Sequence, residues 1–188
     1  MPYPERVETE RLVLRRWEPG DRAAFEAIWA DPDVWAALRP GERFDPAVGP
    51  ERFEHHLAHW REHGFGLWAA EERATGAVAG WVGASHPTFV PELAGEVEIG
   101  WSLRRPSWGR GLATEGAAAA ARAALAHLAP ERIIALIAPA NSRSAAVAER
   151  IGMRRAGRAR HGHFGLELSV YALSAAEAAA RAGGPASG

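Results

Sequence analysis

Hydrophobic and polar positions along this 188-residue chain switch repeatedly between two periods. In residues 11–16, RLVLRR, Leu12 and Leu14 alternate with Val and Arg, which predicts a first strand. A turn at Glu18-Pro19-Gly20-Asp21 follows, with Asp21 placed to cap a helix to about Ala30. Ala24, Phe25, Ile28 and Trp29 would share one face of it. Pro32, Pro40, Pro46 and Pro50 then mark a loop-rich stretch before a second helix at about 51–63. Residues 65–71 and 77–85 read as the strands of a hairpin joined at Ala74-Thr75-Gly76. In residues 96–103, EVEIGWSL, Val97, Ile99 and Trp101 alternate with Glu98, Gly100 and Ser102, the pattern of a half-buried strand.

The C-terminal half repeats this grammar. A helix is expected over residues 112–128, a buried strand over 132–137, and a helix over 142–151 closed by Gly152. A late strand at 167–173 follows the irregular GRARHGHFG. Residues 1–174 read as one α/β domain, with a helical extension and a disordered tail, GGPASG, over 175–188.

Composition narrows the chemistry. Cysteine is absent, so disulfides, thiolate metal sites and a Cys nucleophile are excluded together, and the expectation is a reducing cytoplasm. All 22 basic residues are Arg, which removes a lysine Schiff base and the P-loop lysine. With 23 acidic residues the charge is nearly balanced, which argues against a nucleic-acid coat. The charged N-terminal segment is not read as a secretory signal, and no apolar run approaches a membrane span.

The stretch RRPSWGRGLATEG at 104–116 places two glycines in front of an alanine-rich helix. A strand, a glycine-rich loop and a helix N-terminus together make an anion site, because first-turn N–H groups lack partners and the dipole is positive there. The Walker pattern fails for want of lysine. The dinucleotide fingerprint fails at Thr114, where its third glycine belongs.

EIGWSLRRPSWGRGLATEG at 98–116 and NSRSAAVAERIGM at 141–153 resemble the GNAT acetyltransferase superfamily, in particular its RimJ/RimL-like branch. ETERLVLRRWEPGD, TGAVAGWVG and ELSVYAL are similar to that branch too, so the likeness covers residues 7–174. It implies a mixed, mostly antiparallel twisted sheet flanked by helices, with splayed central strands between which acetyl-CoA binds. The implied acceptor is an amine, and no metal is called for. The pyrophosphate is expected on the loop formed by Trp108, Gly109, Arg110, Gly111, Leu112, Ala113 and Thr114, with Arg105 and Arg110 adding charge. Trp108 stands where the family signature has Gln or Arg. Asn141 would orient the cofactor. The Tyr that many members carry at the position of Ala148 is missing; the branch instead carries a Ser at the position of Ser144, which the resemblance would place by the sulfur. Backbone N–H groups near Trp101, Ser102 and Leu103 would meet the oxyanion.

An α-amine with a pKa near 7.8 is neutralised at pH 7 for about 1 kcal/mol, whereas a lysine near 10.4 needs about 4.6 kcal/mol. A modest base, working through water, therefore serves the former. Glu98 is the first candidate, in phase with Gly100 and Ser102; its bland reading is a salt-bridged strand carboxylate. His161 and His163 compete with it. Asn141 and Ser144 have a bland reading as residues of a helix cap. His55, His59 and His63 share a helix face, which reads as groove lining ahead of a metal site. Three functions remain open: transfer to a protein N-terminal amine, transfer to an antibiotic or aminosugar amine, and a non-catalytic acyl-CoA sensor. Eight tryptophans suit a packed core, and a Trp-rich surface would suit a homodimer.

Overall fold

The computed structural model describes residues 1–163 and 165–182. Its strands are β1 (Arg6–Glu8), β2 (Leu12–Arg15), β3 (Leu67–Glu72), β4 (Val78–Ser85), β5 (Val97–Leu103), β6 (Arg132–Ile137), β7 (Arg154–Arg160) and β8 (Glu167–Ser174). They form one sheet in the order β1-β2-β3-β4-β5-β6-β8-β7. Neighbouring strands run antiparallel except β5 and β6, which are parallel. The helices are α1 (Arg22–Trp29), α2 (Pro32–Leu38), α3 (Val48–His63), α4 (Leu112–His127), α5 (Ser142–Arg150) and α6 (Ala175–Ala182). No helix among the described residues is long and apolar enough to cross a membrane.

Strand alternation divides the core between the two sheet faces. Leu12, Leu14, Val82 and Ile99 face α4, whose Ala117, Ala120 and Ala124 are fully buried. Small side chains at this spacing let the helix axis approach the sheet closely. On the other face Trp81 stacks on Trp29 of α1 with ring centroids 5.4 Å apart, and Phe25, Phe53 and Trp35 complete that cluster. Tryptophan therefore serves mainly as packing, as its periodic placement predicts.

Five expectations need correction. An additional short strand, β1, pairs with β2 ahead of the expected first strand. The carboxylate of Asp21 makes no cap bond to α1; it accepts from the Glu18 N–H at 2.8 Å and pairs with Arg15 at 2.8 Å. The proline-marked loop contains α2. Pro32 occupies its first turn, where no N–H is needed, and Asp31 caps it by accepting from the Asp33 N–H at 2.8 Å. The helix expected to begin near Glu51 begins at Val48. The arginine-rich run before the late strand is not irregular: Arg154–Arg160 forms edge strand β7, with a register shift between Arg155 and Gly157. The tail GGPASG, and Phe164 within GRARHGHFG, lie outside the described residues.

The close seat of α4 generates a stability test. Ala120→Leu forces three extra carbons against the sheet and should cost about 1–3 kcal/mol, read as a lowered Tm. Ala126→Leu, on the exposed side of the same helix, should change Tm little.

Candidate functional site

The parallel pairing of β5 and β6 is brief. It joins Val97 to Ile133 and Glu98 to Ile134, and then the strands part, although β5 runs on to Leu103 and β6 to Ile137. On their outer sides both remain paired, β5 with β4 and β6 with β8. The Arg104 N–H donates to the Ala79 carbonyl across the β4 ladder at 2.7 Å. By antiparallel alternation, the N–H and C=O groups of Ile99, Trp101 and Leu103 then point away from β4, into the gap. The Leu103 carbonyl is taken by the Trp108 indole N–H at 2.6 Å.

Two cavities meet at this gap. A groove of about 840 Å³ is lined by Trp101, Ser102 and Leu103 of β5, by Trp108, Gly109, Gly111, Leu112, Ala113 and Thr114, and by Asn141 and Ser144. A second cavity of about 220 Å³ lies towards α3 and contains Glu98. Both are bounded by Ala37, Leu38, Trp101, Asn141 and Ser144. Thus the residues expected to bind the cofactor, other than Arg105 and Arg110, line the groove, and Glu98 lines the adjoining cavity.

The loop before α4 suits a phosphate. Gly109 and Gly111 have φ of +72° and +77°, a backbone that disfavours any Cβ. Gly111 is the N-cap of α4 and has no side chain to satisfy the first-turn N–H groups, which leaves them to a ligand. The unpaired strand edges offer donors and acceptors for the amides of a pantetheine arm. This backbone fits a coenzyme A thioester.

Two of the expected phosphate ligands are occupied elsewhere. Arg105 pairs with Asp33 of α2, and Arg110 pairs with Glu72 at 2.8 Å. Glu72 also accepts from the Ser107 hydroxyl at 2.7 Å and pairs with Arg104 at 3.5 Å. Although burial opposes it, these hydrogen bonds hold the Glu72 carboxyl below its ordinary pKa. Its role is to anchor the loop from beneath. The cations that line the groove are instead Arg11, Arg143 and Arg150. Arg11 donates to the Arg110 carbonyl and pairs with Glu115, both at 2.7 Å, while Arg143 lies over the Trp108 ring at 4.1 Å. Sequence reasoning assigned none of the three; Arg11 lies within the quoted ETERL, and Arg143 within NSRS.

Asn141 is the N-cap of α5. Its side-chain oxygen accepts from the Ser144 N–H at 3.0 Å, and its amide donates to the Ala37 carbonyl at 3.3 Å. The amide expected to orient the cofactor thus fastens α5 to α2, leaving the Asn141 backbone at the groove. Ser144 sits on the first turn of α5, at the junction of the two cavities.

Glu98 is 8% exposed. Burial pushes its carboxyl up to about 7; a backbone hydrogen bond from Leu136 and the charge of Arg52 oppose the rise. Two of the nearby histidines are held neutral. Burial takes His56 down to about 3 and His59 to about 4. His59 donates from Nδ1 to the Phe65 carbonyl at 2.8 Å and accepts the His86 N–H at Nε2 at 3.1 Å, so both ring nitrogens have structural partners. His55, His56 and His59 all line the small cavity, but His63 does not. His161 also lines it, stacked on Phe89, and His163 does not. Among the described residues no group of three or more His, Asp or Glu is arranged to hold a metal.

Comparison with known proteins agrees with this geometry. A family model described as an acetyltransferase (GNAT) domain matches residues 11–154. The protein YkkB of Bacillus subtilis (strain 168) is 33% identical over 158 residues, covering 79% of this chain and 84% of that protein. The crystal structure of an acetyltransferase from Agrobacterium tumefaciens str. C58 is 32% identical and superposes with a TM-score of 0.76, covering 89% of this chain and 93% of that one. A spermidine N-acetyltransferase from Vibrio cholerae, solved with CoA and spermine, shares the fold with a TM-score of 0.69 at 15% identity, covering 91% and 99%. With a parted β5 and β6, an uncapped glycine loop before α4 and this family match, the chain belongs to the GNAT family of acetyltransferases.

Proposed function

We propose that this enzyme transfers the acetyl group of acetyl-CoA directly to a primary amine held beside it, with Glu98 as general base. The carrying observation is the junction at Trp101, Asn141 and Ser144. One side opens to the glycine-loop groove and the other to a small cavity containing a buried carboxylate. The bound thioester supplies the acetyl group.

The chain's own groups divide the remaining work. The loop at 108–114 seats the pyrophosphate on backbone N–H groups. The Trp101 N–H, directed into the gap, donates to the carbonyl oxygen as charge develops on it. Glu98, with a pKa near the working pH, takes the amine's proton through a water as the new N–C bond forms. As the C–S bond breaks, the Ser144 hydroxyl hydrogen-bonds the departing thiolate, whose proton comes from solvent. Like the RimJ/RimL-like branch, whose motif pair this chain resembles, the site carries a serine at 144, and it has Ala148 where many other members have tyrosine. Cytoplasmic location suits a chain without cysteine.

The pH dependence tests the base. Glu98 must be ionised to act, so kcat/KM for the acceptor should rise through about pH 7. Glu98→Gln should lower kcat about 10²–10⁴-fold and remove that limb; a variant retaining wild-type rate would exclude Glu98. A fold control follows from linkage. The folded pKa of Glu98 lies above its reference 4.5, so its contribution to stability is full below that value and is lost as pH rises through about 7. Glu98→Gln should therefore gain Tm relative to wild type at pH 8 compared with pH 5. For the cofactor seat, Gly111→Ala places a Cβ at φ +77°. The resulting strain of about 1–2 kcal/mol should weaken acetyl-CoA binding about 5–30-fold by calorimetry.

A further inference from the structure

The small cavity contains a charge that this reaction does not use. Arg52, on the second turn of α3, lines it together with Glu98, Arg39 and Glu42. Arg39 and Glu42 pair with each other at 2.7 Å. Glu98 is the proposed base, and Glu51, the acidic neighbour of Arg52 in the chain, is exposed. Among the described residues no hydrogen bond or ion pair holds the Arg52 guanidinium, although it is partly buried. Burial and the like charge of Arg39 work against its charge, and Glu51, Glu42 and Glu98 offset them only in part, through space and without a hydrogen bond. Guanidinium does not escape this by losing its proton. A partly buried cation without a partner at a binding cavity is the half of an ion pair that an incoming anion would complete.

The rest of the cavity limits what carries that anion. Trp29, Trp81, Leu67 and Phe89 give it apolar walls, and its 220 Å³ is about a quarter of the cofactor groove. Burial holds His56 and His59 neutral at pH 7, so these two neither compete for the anion nor assist it. A polyamine would bring further positive charge towards Arg52. A compact molecule with one amine, one carboxylate and an apolar body suits the space.

We infer that the acceptor is a free amino acid with an apolar side chain, its amine directed to Glu98 and its carboxylate paired with Arg52. Arg52 is then a specificity-determining residue, one that touches the substrate away from the reacting atoms. The inference rests on the acetyl-transfer reading above.

The test pairs each acid with its neutral analogue. Thiol release from acetyl-CoA is measured with L-phenylalanine, L-tryptophan, L-leucine and L-methionine, with their carboxamides, and with phenethylamine and tryptamine. Spermidine and short peptides with free N-termini complete the panel. A charge-assisted pair contributes about 1.5–3 kcal/mol, so acids should exceed their carboxamides by about 10–100-fold in kcat/KM. Arg52→Ala should raise KM for the acids and bring the acid-to-carboxamide ratio towards one, and Arg52→Lys should recover part of it. Calorimetric binding of L-phenylalanine to the enzyme–CoA complex, lost in Arg52→Ala, gives a readout independent of turnover.

Equal use of acids and carboxamides, preference for spermidine or peptides, or an equal loss on both in Arg52→Ala would overturn the inference while acetyl transfer stands. Failure of every amine in the panel to release thiol would overturn the transfer reading itself. In that case Arg52-dependent binding of L-phenylalanine still decides whether the cavity is an amino-acid site.

Discussion

The parting of β5 from β6 immediately after Glu98 and Ile134 is the constraint on which the rest of the site depends. A sheet that closed fully would bury every backbone group in its ladders and leave no room between them. Here each strand keeps its outer neighbour, so the sheet stays rigid while its two inner edges remain unpaired. Buried, unpaired N–H and C=O groups are costly, which makes the gap a site that favours an extended, amide-bearing occupant. The same parting sets the depth of Glu98. It is the last residue of β5 paired with β6, at the apex of the wedge, and one of the few acidic side chains that are buried.

The mouth of the wedge is fixed from both sides by polar contacts remote in sequence. Glu72, at the end of β3, gathers Ser107, Arg104 and Arg110 and so sets the course of the glycine loop. Arg11, at the start of β2, ties the same loop to α4 through the Arg110 carbonyl and Glu115. Asn141 does the corresponding work opposite by bonding Ala37. With these side chains committed to scaffolding, the proposed phosphate seat is left to backbone N–H groups and the helix dipole, with Arg143 and Arg150 along the groove. That explains how Trp108 can replace the signature's Gln or Arg: its ring covers the loop under Arg143, and its N–H satisfies Leu103.

Periodicity alone located most elements, because strands such as β5 and β6 and the alanine face of α4 are buried on a regular spacing. It failed where the local signal was ambiguous. Pro32 reads equally as a loop breaker and as a first-turn residue of α2, and only the cap from Asp31 decides. Strand β7 is exposed along nearly its whole length at a sheet edge, so it has no alternation to detect. Within the candidate site, the positions of the glycine loop, Glu98 and Ser144 were legible because position follows from backbone conformation, strand phase and helix start. The directions of Arg105 and Arg110 were not, since long side chains choose partners that tertiary structure alone brings near. Arg11 was hidden for the same reason: Glu115 is 104 residues away.

Electrostatics in the small cavity couples the Glu98 carboxyl, the proposed base, to whatever occupies it. With His56 and His59 neutral and Arg39 paired with Glu42, Glu98 and Arg52 act on each other's charge through space. The Arg52 charge favours ionised Glu98, and so moderates the rise that burial imposes. A carboxylate seated on Arg52 would cancel that influence. Glu98 would then bind a proton more tightly at the moment an amine arrives to release one. Substrate binding and base strength would thereby be linked through one guanidinium, without any movement of the sheet.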